Sequence, residues 1–154
     1  MRFTLLILIL LLISAGKPAE QRPARQGLAA ARSGGFWGFV DGQGGWAIPA
    51  RWDAVGDFSE GLAWVRRGDE IYAKFGYIDR RGQTIIPPQY QYGRSFAGGL
   101  AAVRDGEKWG YIDKQGTWVI PPRYDYAESH KQGKAVVRIH DKKQIIDLKG
   151  QPVP

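Results

Sequence analysis

The stretch KWGYIDKQGTWVIPPRYDYA, residues 108–127, contains two Trp, three Tyr, a double proline and two glycines. The stretch KFGYIDRRGQTIIPPQYQYG, residues 74–93, repeats the same pattern 34 positions earlier. Recurrence at this interval is typical of repeat architectures, in which each copy is one small structural unit. The pattern therefore predicts a fold more directly than it predicts a chemical activity.

The repeats cover about 36–65, 74–103 and 108–137, with a partial copy at 140–154. The first interval is longer because RRGDEIYAK, residues 66–74, stands where the next copy has the shorter RDGEK. Insertions are tolerated in loops, so we expect a loop at this point. Together the copies predict one domain over 36–154.

Each copy predicts three short strands joined by turns. The first strand, as in KWGYID, alternates aromatic and branched residues with a glycine that leaves a notch for a neighbouring ring or backbone. The second strand, as in TWVIPP, is expected to stop at its prolines, since proline cannot donate to a β-ladder. One helical turn fits before the third strand. The predicted fold is all-β, with hairpin repeats stacked in an open array.

An aspartate followed by a glycine three positions later marks the corner after each first strand. Aspartate at the start of a turn accepts hydrogen bonds from backbone amides, and glycine tolerates a positive φ. A calcium site would need six to eight converging oxygens, whereas each corner offers a single carboxylate. We therefore interpret the four aspartates as turn caps: Asp41, Asp79, Asp113 and Asp147.

The third copy departs from the others at two apolar positions. Phe58 and Phe96 are expected to fill the core, but His130 stands at the same place, and Lys134 replaces a leucine. End units of a stacked array face water on one side. Both substitutions are therefore predicted to be surface caps.

The pattern aromatic-Gly-aromatic-Ile-Asp, two residues, Gly, then Ile-Pro-Pro-x-Tyr and a distal Phe-x-x-Gly-Leu-Ala resembles the WG repeat family. The resemblance covers about 36–154, with Phe75 in place of a Trp and a single proline, Pro49, in the first copy. It implies an all-β scaffold, found in many bacterial proteins and mostly without a defined reaction. It supplies no catalytic residue and no cofactor.

The N-terminus predicts export. Residues 1–16, MRFTLLILILLLISAG, combine a basic residue, a short apolar run and small residues, as in a signal peptide. The apolar run is shorter than the roughly 20 residues that a membrane helix needs, so retention as an anchor is the alternative. Residues 17–35 are predicted to be a flexible basic linker. The mature chain is expected to be periplasmic or extracellular, and it meets a membrane only during export.

The formal charge of +7 lies partly outside the predicted fold, because residues 17–35 hold four basic residues and one acidic residue. A nucleic-acid groove would need its basic residues concentrated on the folded part, so nucleic acid is not expected as a partner. The chain contains no Cys. An exported domain without disulfides depends on its core alone.

No enzyme, metal or cofactor is predicted. His130 and His140 lack the spacing of a zinc site, and both are expected at the surface. An acidic cluster adjoins the insertion, and a pair of catalytic carboxylates there would need Asp57 or Glu60 beside a second acid in a concave site. This cluster contains Asp57, Glu60, Asp69 and Glu70.

Aromatic residues that do not recur in every copy are the candidates for ligand contact. They are Trp46, Trp64 and Trp118, with Arg51, Arg94 and Arg123 nearby in sequence. The main hypothesis is a non-enzymatic scaffold at the cell envelope that binds a protein, or pairs with itself. The alternative is binding of a carbohydrate or another envelope polymer through these aromatics.

Overall fold

A computed structural model describes residues 20–21 and 27–154 of the chain, with side chains over 27–154. The predicted signal peptide and most of the predicted linker lie outside the described residues. No helix occurs within 27–154, so none of these residues belongs to a helix long and apolar enough to cross a membrane. The predicted all-β class is confirmed.

The described residues form fifteen short strands. In chain order these are β1 (Glu20–Gln21), β2 (Ala29–Ser33), β3 (Phe36–Val40), β4 (Trp46–Trp52), β5 (Ala54–Val55), β6 (Leu62–Arg67), β7 (Lys74–Asp79), β8 (Thr84–Tyr90), β9 (Tyr92–Gly93), β10 (Ala101–Asp105), β11 (Lys108–Ile112), β12 (Trp118–Tyr124), β13 (Tyr126–Ala127), β14 (Ala135–Ile139) and β15 (Lys142–Ile146).

The strands form four small antiparallel sheets that follow one another along the chain. The first sheet is β1 to β4, the second β5 to β8, the third β9 to β12 and the fourth β13 to β15. Every hydrogen-bonded neighbour within a sheet is also the next strand in sequence. Over the described part of the chain, no sheet closes into a barrel, and the sheets form an array.

The apolar interior lies between successive sheets. Neighbouring residues of a strand point to opposite faces, and both faces of the middle sheets are covered. In β7, Ile78 belongs to the cluster shared with the first sheet, whereas Tyr77 belongs to the cluster shared with the third. A third cluster joins the third and fourth sheets around Tyr111 and Val137. Each middle sheet is therefore held by two apolar contacts.

The glycine of each first strand lies beneath a bulge. In the third sheet, Trp109 pairs with Tyr124 and Tyr111 pairs with Ile120, so three residues of β12 oppose Gly110 alone. A Cβ on this glycine would lie 2.5 Å from the backbone oxygen of Ile120. The predicted notch is thus filled by backbone, which explains why only glycine fits there.

The prediction that the prolines end the second strand was wrong. Strands β4, β8 and β12 each run through the proline positions. These strands lie at the edge of their sheets, where a missing amide donor is tolerated, and the prolines fall within the bulge.

The sheets are offset from the sequence repeats. The copy at 74–103 supplies β7 and β8 to the second sheet, and β9 and β10 to the third. A two-residue strand such as β9 therefore adds a fourth strand to each full sheet. The predicted helical turn was wrong, because the chain reverses there in a two-residue hairpin with positive φ at Gly98 and Gly99.

The predicted linker at 17–35 contains part of the array. Ala29–Ser33 pairs with β3 along its whole length, and Glu20–Gln21 pairs with β2. Because β2 takes the place that β6 and β10 take in later sheets, the first sheet begins before the first complete copy of the repeat.

The two predicted caps differ in outcome. Lys134 is exposed, as predicted for a position that would face a fifth sheet. His130 is only 6% exposed, so its prediction as a surface residue was wrong. Its ring packs on Tyr111 at 4.7 Å, as Phe96 packs on Tyr77 at 4.9 Å. This position faces the preceding sheet, so the end of the array does not expose it.

The aspartate corners are confirmed as turn caps. Asp79 Oδ1 accepts hydrogen bonds of 2.9 Å from the backbone N–H groups of Arg81 and Gln83. The other three corners repeat this geometry. Gly82, which ends this corner, has φ of 79°, and a Cβ there would lie 2.9 Å from Ile48 Cγ2 of the preceding sheet. The corner is therefore both a turn and a sheet contact.

Candidate functional site

The three predicted ligand-contacting tryptophans are all half-buried, and the structure does not bring them together. Trp46 packs against a small apolar cluster on the first sheet and lines an open depression of about 350 Å³ with Ser33, Pro49 and Ala50. Trp118 lies edge-on to Tyr90, with ring centroids 5.7 Å apart. Trp46 therefore serves packing on its own sheet, whereas Trp118 packs against the preceding sheet.

Trp64 occupies space that a missing side chain leaves open. A Cβ on Gly56 would lie 2.1 Å from Trp64 Nε1, so the indole lies directly against this glycine. The indole also packs against Phe75, at 5.4 Å between centroids, and against the apolar cluster between the second and third sheets. The Trp64 indole therefore fills the space that a side chain at position 56 would need.

Arg51 and Arg123 each form a hydrogen bond from one sheet to the next. Arg51 Nη2 donates to the carbonyl oxygen of Gly82 at 2.7 Å, and Arg123 Nη2 donates to Gly150 at 3.1 Å. Each guanidinium also lies over the aromatic ring that follows it, at 5.2 Å and 5.0 Å from the centroid. Their position in the repeat gives them a structural role between sheets.

A continuous row of aromatic rings crosses the second, third and fourth sheets. Successive centroid distances along this row are 5.4, 4.8, 5.5 and 6.3 Å. The aromatic row consists of Trp64, Phe75, Tyr92, Trp109 and Tyr126. Phe75 and Trp109 are buried, whereas Tyr92 is 44% exposed. The row is therefore partly open to solvent.

Arg94 lies over the middle of the aromatic row. Its guanidinium is 5.9 Å from the Tyr92 centroid, 5.1 Å from Trp109 and 5.3 Å from Tyr126. Its Nε donates to the carbonyl of Ala127 at 2.9 Å. The backbone of Arg94 is fixed too, since its carbonyl accepts a 2.8 Å hydrogen bond from Tyr77, a phenol whose pKa burial raises. Of the predicted ligand residues, only Trp64 and Arg94 belong to this site.

A second set of arginines follows the aromatic row and was missed from the sequence. Arg66, Arg104 and Arg138 occupy the same position in β6, β10 and β14, and we call them the arginine column. The first two are half-buried and the third is exposed. The signal was available as the recurring Val-Arg in these three strands. It was overlooked because the aromatic positions are the most conspicuous ones when the copies of the repeat are aligned.

The family model for the WG containing repeat matches three successive segments, 37–70, 75–109 and 109–142. These segments cover well over half of the chain. The chain belongs to the WG repeat family.

Comparisons with other proteins add little to this assignment. No curated protein matches the chain. Among solved structures, the WG repeat array is similar to a chain of the tricorn protease, with 17% identity and a TM-score of 0.42. The match covers 85% of this chain but only 16% of that one.

The insertion between the first and second WG repeats forms the predicted loop between β6 and β7. Ile71 is 82% exposed and Tyr72 is 76% exposed. The loop has defined geometry, because Asp69 Oδ1 accepts from the backbone N–H groups of both residues at 2.9–3.0 Å. Asp53 Oδ2 accepts from Gly68 N–H at 2.9 Å and fixes the start of the loop. We call residues 68–73 the insertion loop.

Two carboxylates of the acidic cluster predicted beside the insertion hold backbone turns. Glu60 Oε2 accepts from Gly99 N–H at 2.9 Å, and Lys114 Nζ donates to the Glu60 carbonyl at 2.9 Å. Asp69 caps the insertion loop instead. Within 27–154, no group of three His, Cys, Asp or Glu could hold a metal ion. Glu60 and Asp69 are thus used to hold turns.

Proposed function

We propose that the chain is an exported, non-catalytic WG-repeat scaffold that presents a surface to a protein partner at the cell envelope. The N-terminal pattern of residues 1–16 supports export. Sheets packed face to face, with the corner aspartates, Glu60 and Asp69 engaged at turns, support a binding role over a catalytic one. Repeat arrays use extended surfaces in this way.

The insertion loop carries the proposal. It breaks the repeat at one point, and there it places two large apolar side chains in solvent on a backbone held by Asp69. Tyrosine is among the residue types that contribute most to protein interfaces. A loop already fixed in one conformation also loses less entropy on binding. Ile71 and Tyr72 are therefore the proposed anchors.

Site-specific photo-crosslinking in the producing cell tests this role. A photoreactive phenylalanine analogue at position 72 is expected to yield one discrete protein adduct, identified by mass spectrometry. The matched control carries the analogue at Ile85, an exposed apolar position on the outer strand of the same sheet. The Ile71→Ser change should abolish the adduct at position 72. Equal labelling at both positions, or none at either, would refute the loop as an interface.

Self-association is one form that the partner could take. Three and a half repeats make a short array, and burial of apolar side chains against a second copy would stabilise it. An adduct of twice the chain mass would assign the loop to this role. Sedimentation of a stable monomer at low concentration, with a cooperative melt, would exclude it.

Binding of a carbohydrate or another envelope polymer is the second candidate function. The observation that favours it is the aromatic row, in which Trp64 packs on Phe75 and Arg94 lies over the half-exposed Tyr92. Tryptophan emission, titrated with peptidoglycan fragments and with acidic polysaccharide, tests it. A saturable shift that Tyr92→Ala abolishes is expected. No shift at saturating ligand would remove this candidate.

A further inference from the structure

Arg66 and Arg104 occupy equivalent places beside the aromatic row. Arg66 lies between Ala54 and Phe75 in the register of the second sheet. Arg104 lies between Tyr92 and Trp109 in the third. Each arginine therefore lies on an inner strand of its sheet, opposite a residue of the aromatic row.

Both arginines contain a donor without a protein partner. Within residues 27–154, no donor of either guanidinium makes a hydrogen bond and neither side chain forms an ion pair; the two Nε atoms are buried, whereas the Nη groups are open to solvent. An external ligand can reach only the Nη groups, and these are the donors available for a carboxylate.

Arg94, which lies in the same site, differs from Arg66 and Arg104 because its guanidinium has a protein acceptor. Its Nε is satisfied by the Ala127 carbonyl, so the fold does supply an acceptor where the guanidinium serves packing. No such acceptor is supplied to Arg66 or Arg104. A planar guanidinium with free donors is suited to bidentate binding of a carboxylate.

We infer that Arg66 and Arg104 bind successive carboxylates of an acidic polysaccharide that lies along the aromatic row. Packed sheets are about 10 Å apart, so equivalent arginines of neighbouring sheets recur at about that interval. A linear polymer with regularly spaced carboxylates matches such a series, and the half-exposed Tyr92 can contact a sugar. The exposed Arg138 extends the series to the fourth sheet.

An acidic peptide fits this position less well. Extended peptides bind by adding a strand to a sheet edge. The first strands of the second and third sheets have only two residues each, so they offer few backbone groups for pairing. The inference deepens the second candidate function and is independent of the insertion loop.

Isothermal titration of the full chain tests the inference with an oligosaccharide that carries a uronic acid at every second sugar. Its methyl ester, which keeps the sugars and removes the charges, is the matched ligand. Poly-glutamate and single-stranded DNA are the competing polymers. The variants are R66Q/R104Q, R66K/R104K and the charge-matched control K131Q/K149Q, in which both lysines are exposed.

The expected result is saturable binding of the acid form and none of the ester. R66Q/R104Q should weaken binding by at least about tenfold, which corresponds to roughly 1.4 kcal/mol. R66K/R104K should show a similar loss, because lysine keeps the charge but cannot form the bidentate pair. K131Q/K149Q should change affinity less than about twofold, since distant exposed charges are screened by salt.

Several results would overturn the inference. They are no binding of the acid form, equal binding of the ester, equal losses in the glutamine pair and the lysine control, retained affinity in R66K/R104K, or tighter binding of poly-glutamate or DNA. Thermal melts separate folding from binding, because removal of unpartnered guanidinium groups should leave the midpoint nearly unchanged. Ile71→Ser should retain full polysaccharide affinity, so failure of the loop proposal would be seen separately.

Discussion

The contact between the second and third sheets and the contact between the third and fourth fill equivalent positions with different side chains. In the first contact, Trp64 lies against Gly56. In the second, Ala102 takes the place of the tryptophan, and Arg94 takes the place of the glycine and covers Trp109. A large residue and a small one have exchanged places. Both contacts therefore fill a similar volume between the sheets, but they fill it with side chains of different chemistry.

Disrupting the fit between Trp64 and Gly56 should have the largest effect on the free energy of unfolding. Gly56→Arg places a long side chain where the Trp64 indole already lies, and overpacking of this kind costs about 3 kcal/mol or more. The double variant G56R/W64A reproduces the arrangement of the next contact and should recover most of that loss. Urea unfolding of wild type, both single variants and the double variant measures the coupling. Additive effects in this cycle would show that the two positions do not share one volume.

Removing Arg94 should have a smaller effect on the other contact. Arg94→Ala loses the hydrogen bond to the Ala127 carbonyl and the position over Trp109, together about 1–2 kcal/mol of unfolding free energy. Arg138→Ala is the control, because that exposed guanidinium only approaches Tyr126 at 5.6 Å and surface changes usually cost below about 0.5 kcal/mol. Thermal melts at high and low salt measure both. A loss at Arg94 no greater than at Arg138 would contradict its role between sheets.

The comparison also shows how far the sequence could predict the structure. Features that depend on a few adjacent residues were predicted correctly, such as the Asp79 corner, the insertion loop and the alternation of Tyr77 and Ile78. These follow from local turn chemistry and a period of two. They need no knowledge of which strand lies opposite.

Features that depend on a partner strand were not predicted. The strands continue through the prolines because a bulge opposite Gly110 absorbs them. His130 is buried because its position faces the preceding sheet, a direction that the repeat length alone does not reveal. Arg66 and Arg104 acquire their significance only when Phe75 and Trp109 are placed beside them. Of the predicted ligand residues, the structure brings only Trp64 and Arg94 to the aromatic row.

The smallest expected effect concerns pH and again contrasts the two contacts, since Phe96 in one corresponds to His130 in the other. Burial lowers the pKa of His130, and its Nδ1 has no partner within residues 27–154. Below the unfolded pKa of about 6.5, the unfolded chain binds a proton that the folded chain resists. Stability should therefore fall as the pH drops from 6.5 towards the lowered folded pKa.

Replacing this histidine with the residue of the other copy removes the titration. His130→Phe should melt higher than wild type, and its advantage should widen between about pH 7.5 and pH 5, where few carboxylates titrate. The Asp147 carbonyl that His130 contacts at 3.2 Å still accepts from Gly150 N–H. His140→Asn is the control: that residue is exposed at φ of 46°, a conformation asparagine tolerates. An advantage that stays constant with pH would mean that His130 contributes through packing alone.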